Sequence, residues 1–226
     1  CLGNVDIFRT QLRAILKASV YGNLKIMFPM ISTMKELRDT KKILERAKQE
    51  LVQEGIPFSD NIEIGIMIEV PSAAIISDLL AKEVDFFSIG TNDLIQYTMA
   101  VDRMNSKLSY LYSQYHPALL RLVKGIIENG HKSGIKVGMC GEAAGDPKLI
   151  PVFLGMGLDE FSINSSSILS SRYIIRNLNM HEMKKIADNT LNMETAVEVE
   201  NYLSSLFSDE SESYLKKRKR KRKINE

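Results

Sequence analysis

The sequence predicts an α/β fold, a TIM (β/α)8 barrel that is incomplete and lacks its first strands. Three observations predict it. Five short apolar runs recur along the chain, each followed by a helical pattern, and strand–helix alternation of this kind builds a parallel sheet. Runs such as Ile64-Gly65-Ile66-Met67-Ile68 are nearly continuously apolar, as strands covered on both faces are. A full barrel takes about 250 residues, and five strand–helix units leave three strands unaccounted for. No Gly-x-Gly-x-x-Gly follows the first strand, so a dinucleotide fold has no positive support.

Val5–Ser19 opens the chain as an amphipathic helix, with Phe8, Leu12, Ile15 and Leu16 on its apolar side. The first strand is read at Leu24–Met30. Met34–Glu54 is the next helix, with Met34, Leu37, Leu44, Ala47 and Leu51 apolar and Lys, Arg and Glu elsewhere. Strands follow at Ile62–Val70 and Val84–Gly90. Ile62–Val70, the second strand of the chain, ends at Glu69; the Pro71 that follows fixes the exit, and Ser72 is placed to cap a helix. Ala118–Ser133 repeats the helical spacing with Leu119, Leu122, Val123, Ile126 and Ile127, and His116-Pro117 reads as its start. Strands at Ile135–Cys140 and Glu160–Asn164 complete the five. Beyond Ile168 the pattern is all-helical, with helices expected at Ile174–Leu178, His181–Asp188 and Thr195–Leu206.

The chain has 226 residues, 44% hydrophobic and 26% charged, enough for a substantial core. No apolar run approaches the ~20 residues that span a bilayer, and no signal-peptide pattern opens it. Its two cysteines, Cys1 and Cys140, make no disulfide framework. With no export signal they fit a reducing cytoplasm. The net charge is +2, but residues 208–226 hold eight basic residues, unbroken from Lys216 to Lys223, and four acidic ones. The first 207 residues therefore carry −2, so the body is not a nucleic-acid surface by composition. The tail reads as disordered. Because the chain opens on Cys1 with no linker before its first helix, an upstream part of a longer protein is expected to be missing.

The chemistry gathers at strand ends, where α/β proteins bind ligands. Glu69 ends the second strand and Asp93 follows the third. Two carboxylates from neighbouring strand ends can share Mg²⁺, with waters and substrate oxygens filling its other positions. The alternative is two helix-start acids stabilised by the dipole. Arg103 lies ten residues past Asp93 and suits a phosphate or carboxylate; alone, it reads as a surface Arg paired with Asp102. Asn92 can bond a ligand oxygen or shape a turn. Cys140 ends the fourth strand beside Gly141 and Glu142, either as a small buried hydrophobe or as a proton-exchanging group. His116, His131 and His181 form no spaced cluster and imply no zinc site.

The motifs Ile26-Met27-Phe28-Pro29-Met30, Ile66-Met67-Ile68-Glu69-Val70-Pro71-Ser72, Phe86-Phe87-Ser88-Ile89-Gly90-Thr91-Asn92-Asp93-Leu94, Met139-Cys140-Gly141-Glu142-Ala143 and Gly155-Met156-Gly157-Leu158-Asp159-Glu160 carry a resemblance. Over about residues 5–207 the chain resembles the C-terminal domain of the phosphoenolpyruvate-utilising enzymes. Gln96 to Arg103 is most similar to enzyme I of the bacterial phosphotransferase system, and less so to pyruvate phosphate dikinase and phosphoenolpyruvate synthase. The resemblance implies Mg²⁺ held by Glu69 and Asp93, phosphoenolpyruvate contacted by Asn92, Asp93 and Arg103, and Cys140 as proton donor to the enolate of pyruvate. It implies phosphoryl transfer to a histidine in a separate domain and on to the carrier protein HPr, in a cytoplasmic homodimer formed through the barrel. On this reading residues 1–207 are the C-terminal part of the barrel and 208–226 a charged tail outside the family pattern. The histidine motif has no match here, and the family's further phosphate-binding arginines would precede Cys1. The isolated chain is therefore expected to be inactive alone. The alternatives are the equivalent dikinase or synthase domain, or a truncated dimerisation module without activity.

Overall fold

The computed structural model describes residues 3–207. Five strands, β1 (Lys25–Phe28), β2 (Glu63–Ile68), β3 (Phe86–Gly90), β4 (Lys136–Cys140) and β5 (Glu160–Phe161), form one sheet in the order of the sequence. Every pair is parallel. Sequential order with parallel pairing means that each crossover steps one strand onward, the topology of a barrel wall. Among the described residues the wall is an arc that does not close: β1 and β5 each have one strand neighbour.

Among the described residues ten α-helices run alongside: α1 (Val5–Ala18), α2 (Met34–Gln53), α3 (Pro71–Ile75), α4 (Ser77–Leu80), α5 (Thr91–Met99), α6 (Pro117–Lys132), α7 (Ile150–Met156), α8 (Ile168–Arg176), α9 (Met180–Leu191) and α10 (196–207). Alternate strand residues point toward them. Ile26 and Phe28, Ile66 and Ile68, Phe87 and Ile89, and Val137 and Met139 are buried in one core with Leu12, Leu37, Leu51, Val123, Ile127 and Phe153. That core is what fixes register, since a one-residue slip would turn these side chains outward.

The opposite face differs from the expectation of strands covered twice over. Lys25, Met27 and Lys136 are exposed there, and Phe86, Ser88 and Gly138 are half-buried. Among the described residues no strand faces the concave side of the arc. Lys25 pairs with Glu63 at 2.5 Å and stands 5.3 Å from the Phe86 ring centroid, so the charge there is at least partnered.

Local chemistry explains most boundaries. α2 begins at a capping box in which the Thr33 hydroxyl accepts from the Glu36 N–H and the Glu36 carboxylate accepts from the Thr33 N–H. His116 caps α6 through Nδ1, which accepts from the Ala118 N–H, and Pro117 occupies the first turn. Ser72, expected as a cap, is not one: Val70 is the N-cap of α3, and the Ser72 hydroxyl donates to the Ser32 carbonyl. β5 is two residues long rather than five; the Ser162 N–H still donates to the Met139 carbonyl, and the Asn164 side chain then accepts from the Ser167 N–H in the turn that follows. α8 starts six residues before the predicted Ile174, at Ile168. Cys1 and the tail 208–226 lie outside the described residues.

Candidate active site

The ends of β2, β3 and β4 are neighbours on one edge of the sheet. Glu69 follows the last residue of β2, Asn92 and Asp93 sit in the first turn of α5 directly after β3, and Cys140 is the last residue of β4. Gly90 pairs with Cys140 across the ladder. The structure thus brings together Glu69, Asn92, Asp93 and Cys140. Arg103 lies on the exposed loop that follows α5, whose Gln96 side chain accepts from the Arg103 N–H at 3.1 Å. The sequence alternative of an Arg103–Asp102 ion pair is not found among the described residues; the Asp102 carboxylate accepts from the Met104 N–H instead.

Glu69 is 4% exposed, and its Oε1 accepts from the Met30 N–H at 2.7 Å. Met30 holds a left-handed φ of 57°, which a non-glycine residue adopts at a cost. The residue is therefore a strained backbone donor aimed at a carboxylate, and the sequence gives no direct sign of it. Glu69 has no place in a helix first turn, so the dipole alternative does not describe it. Asp93 does sit at a helix N-terminus, and both explanations stand for that residue. Burial raises the Glu69 pKa, the Met30 N–H opposes the rise, and the charge and hydrogen bonding of Asp93 add to it. The two acids therefore meet with no basic side chain paired to either among the described residues.

That arrangement fits a divalent ion. Two carboxylates with mutual repulsion and no cationic partner gain most from a hard cation between them. Among the described residues no group of three or more His, Cys, Asp or Glu is placed to hold a metal, so water and substrate oxygens would have to complete the shell.

Space for this pairing comes from Gly90. A Cβ there would lie 2.9 Å from Glu69 Cβ, Glu69 Oε2 and Met67 Sδ. Gly141 is the other required glycine, with φ of 96° and a would-be Cβ 2.3 Å from Thr91 Oγ1. The loops are tied to one another as well. Thr91 donates to the Cys140 carbonyl at 3.0 Å, Asn92 Oδ1 accepts from the Glu142 N–H at 3.2 Å, and the Tyr112 hydroxyl donates to the Asn92 carbonyl at 3.2 Å. Asn92 therefore does shape a turn, one that joins two strand ends.

Cys140 is half-buried, and burial pushes its thiol pKa up. A hydrogen bond from Ser88 pulls the other way, and the charges of Glu69 and Asp93 add to the rise. Such a thiol keeps its proton at neutral pH, as an acid must before it acts. The three histidines are engaged elsewhere or exposed: His116 caps α6, His131 lies 2.9 Å from Asp159, and His181 is in the first turn of α9.

Residues 1–180 match the family described as PEP-utilising enzyme, PEP-binding domain. The chain belongs to that family. It is 60% identical over 199 residues to the phosphoenolpyruvate-protein phosphotransferase of Listeria monocytogenes, a match over 88% of this chain and 35% of that protein. It is 58% identical to the protein of the same name from Priestia megaterium, over 92% of this chain and 36% of the relative. The Bacillus subtilis protein of that name is 56% identical over 207 residues. The chain spans about a third of the length of these relatives. A crystal structure of a citrate lyase from Burkholderia xenovorans covers 91% of the chain with a TM-score of 0.55 at 16% identity, spanning 69% of that protein. That likeness is one of fold and agrees with the barrel-type arc. No described helix is long and apolar enough to cross a membrane.

Proposed function

We propose that the chain is part of the phosphoenolpyruvate site of a phosphoenolpyruvate–protein phosphotransferase, the enzyme I of a bacterial sugar phosphotransferase system. The observation that carries this is the meeting of Glu69, Asp93 and Cys140 on one sheet edge. The names of the relatives favour this reading over a dikinase or synthase.

Glu69 and Asp93 would hold Mg²⁺. When bound, the ion neutralises charge on the phosphate and enolate oxygens. Arg103 binds an anionic group of phosphoenolpyruvate through its forked N–H donors. The N-terminus of α5 adds a positive dipole end beside Asn92 and Asp93. A histidine in another part of the full-length protein takes the phosphoryl group and passes it to HPr. Cys140 then delivers its proton to C3 of the enolate, which yields pyruvate. The remainder of the reading is a cytoplasmic homodimer formed through the barrel. A shorter product acting only in dimerisation is the competing non-enzymatic role.

The test is Asp93→Asn in the full-length protein. Mg²⁺-dependent transfer from phosphoenolpyruvate is expected to disappear while circular dichroism and the melting temperature stay as in the parent. Transfer with the parent's Mg²⁺ dependence in that variant rules the metal assignment out.

A further inference from the structure

We propose that Ser88 is the positioning residue for Cys140: its hydroxyl orients the thiol and donates to the sulfur after the proton has left. What Cys140 does with its proton rests on the phosphotransferase reading; the contact itself does not.

Ser88 Oγ lies 3.8 Å from Cys140 Sγ, within the range of a hydrogen bond to sulfur. The two residues are diagonal neighbours on β3 and β4. Ser88 pairs with Gly138, and Gly90 pairs with Cys140, so both share the concave face of the sheet. Neither glycine carries a side chain, and nothing on the two strands separates hydroxyl from thiol. Ser19, Ser77, Ser170 and Ser205 use their hydroxyls on nearby main-chain carbonyls. Ser88 stands between buried Phe87 and Ile89, and among the described residues its hydroxyl has the sulfur as partner. Thr91 meanwhile bonds the Cys140 carbonyl. The main chain and the sulfur of Cys140 are thus each held from β3 and its continuation.

In the proton step the S–H bond breaks and a C3–H bond forms. The S–H electron pair stays on sulfur, while the enolate C=C pair makes the new C–H bond and the oxygen becomes a carbonyl. The product is a thiolate whose sulfur lies 3.8 Å from the Ser88 hydroxyl. Ser88 is the donor that favours it, and its own O–H bond stays intact throughout. Water then returns a proton to sulfur.

The experiment uses the 226-residue chain with Cys1→Ser, so that Cys140 is the sole thiol. The rate of alkylation by iodoacetamide is followed against pH. Loss of access scales the plateau at high pH, whereas loss of a donor to the thiolate moves the midpoint upward. Ser88→Ala is expected to move the midpoint up and to slow alkylation at pH 8 about fivefold, the size of one modest hydrogen bond. Ser88→Thr keeps the hydroxyl and is expected to stay within about twofold of the parent. The melting temperature of each variant reports whether the fold is retained. A Ser88→Ala midpoint equal to the parent's overturns the proposal. Equal shifts in both variants assign the effect to packing and also overturn it. Alkylation needs neither phosphoenolpyruvate nor Mg²⁺, so such a result leaves the phosphotransferase reading standing. That reading fails separately if Cys140→Ala in the full-length protein forms pyruvate at the parent's rate.

Discussion

Glu69 shows how one side chain answers to several neighbours. Its carboxyl is buried, raised in pKa above the ordinary 4.5, and repelled by Asp93. The folded chain therefore binds this proton more tightly than the unfolded chain does. By linkage, its contribution to stability falls as pH rises from the ordinary value through the raised one. On the proposed reading, Mg²⁺ has to displace the same proton. Calorimetric titration of the chain with Mg²⁺ in buffers of different ionisation enthalpy should show proton release that fades as pH rises through the raised value; a buffer-independent heat at every pH contradicts it. Gly90→Ala is predicted to cost about 1–3 kcal/mol of stability, the range for overpacking, because the new methyl meets Glu69 and Met67 at 2.9 Å. It should also weaken Mg²⁺ binding, and a variant with the parent's melting temperature and affinity shows that the cleft yields freely. Cys140→Ala in the full-length protein should spare phosphoryl transfer more than pyruvate formation, read by comparing labelled phosphoenzyme with product. The carboxylates and the thiol were legible as residues at the ends of apolar runs. Met30 was not, because a left-handed backbone at a non-glycine leaves no compositional mark, and Ser88 was hidden as one small residue within a strand.

At the scale of elements, α2 offers a clean test. Glu36 closes the capping box, and its pKa is lowered by the Ser32 hydroxyl first and then by main-chain N–H groups. A lowered carboxyl stabilises above its ordinary pKa, 4.5, and that contribution is lost as pH falls through the lowered value. Glu36→Gln should therefore flatten the acid limb of a melting-temperature profile while leaving the helix capped; an unchanged profile refutes the assignment. Thr33→Ala should cost about 1 kcal/mol in urea unfolding. Strand positions were readable from apolar runs, and helices from their spacing. The misplaced pieces share a cause. Ser72 bonds a carbonyl on another loop, Asn164 closes a side-chain turn where the strand was expected to run on, and α8 begins among serines that carry little apolar signal. Each boundary was set by a hydrogen bond or contact that periodicity does not register.

For the molecule as a whole, the parallel arc and its sequential order were implied by strand–helix alternation, and the structure bears out that class. The uncovered concave face was not implied, since apolar strands read alike whether one face or two are covered. That face carries Lys25, Met27 and Lys136 into solvent here. On the proposed reading, the chain supplies ligands and an acid but not the phosphoryl acceptor. Incubation of the 226-residue chain with labelled phosphoenolpyruvate and Mg²⁺ should leave no acid-labile label, with the full-length protein as positive control. Label on His116, His131 or His181 would place the acceptor within this chain.

The sheet's order has a kinetic corollary. Each strand pairs with the one translated just before it, so no strand waits for a distant partner. β1 and β2 can dock while β3 is still being synthesised, and the helix between two strands leaves the ribosome before the second of them. The longest wait falls between β3 and β4, across the loop that carries Arg103 and all of α6. Closing a longer loop costs more entropy and slows folding, so docking of β4, and with it arrival of Cys140 beside Gly90, becomes the late event in assembling this edge.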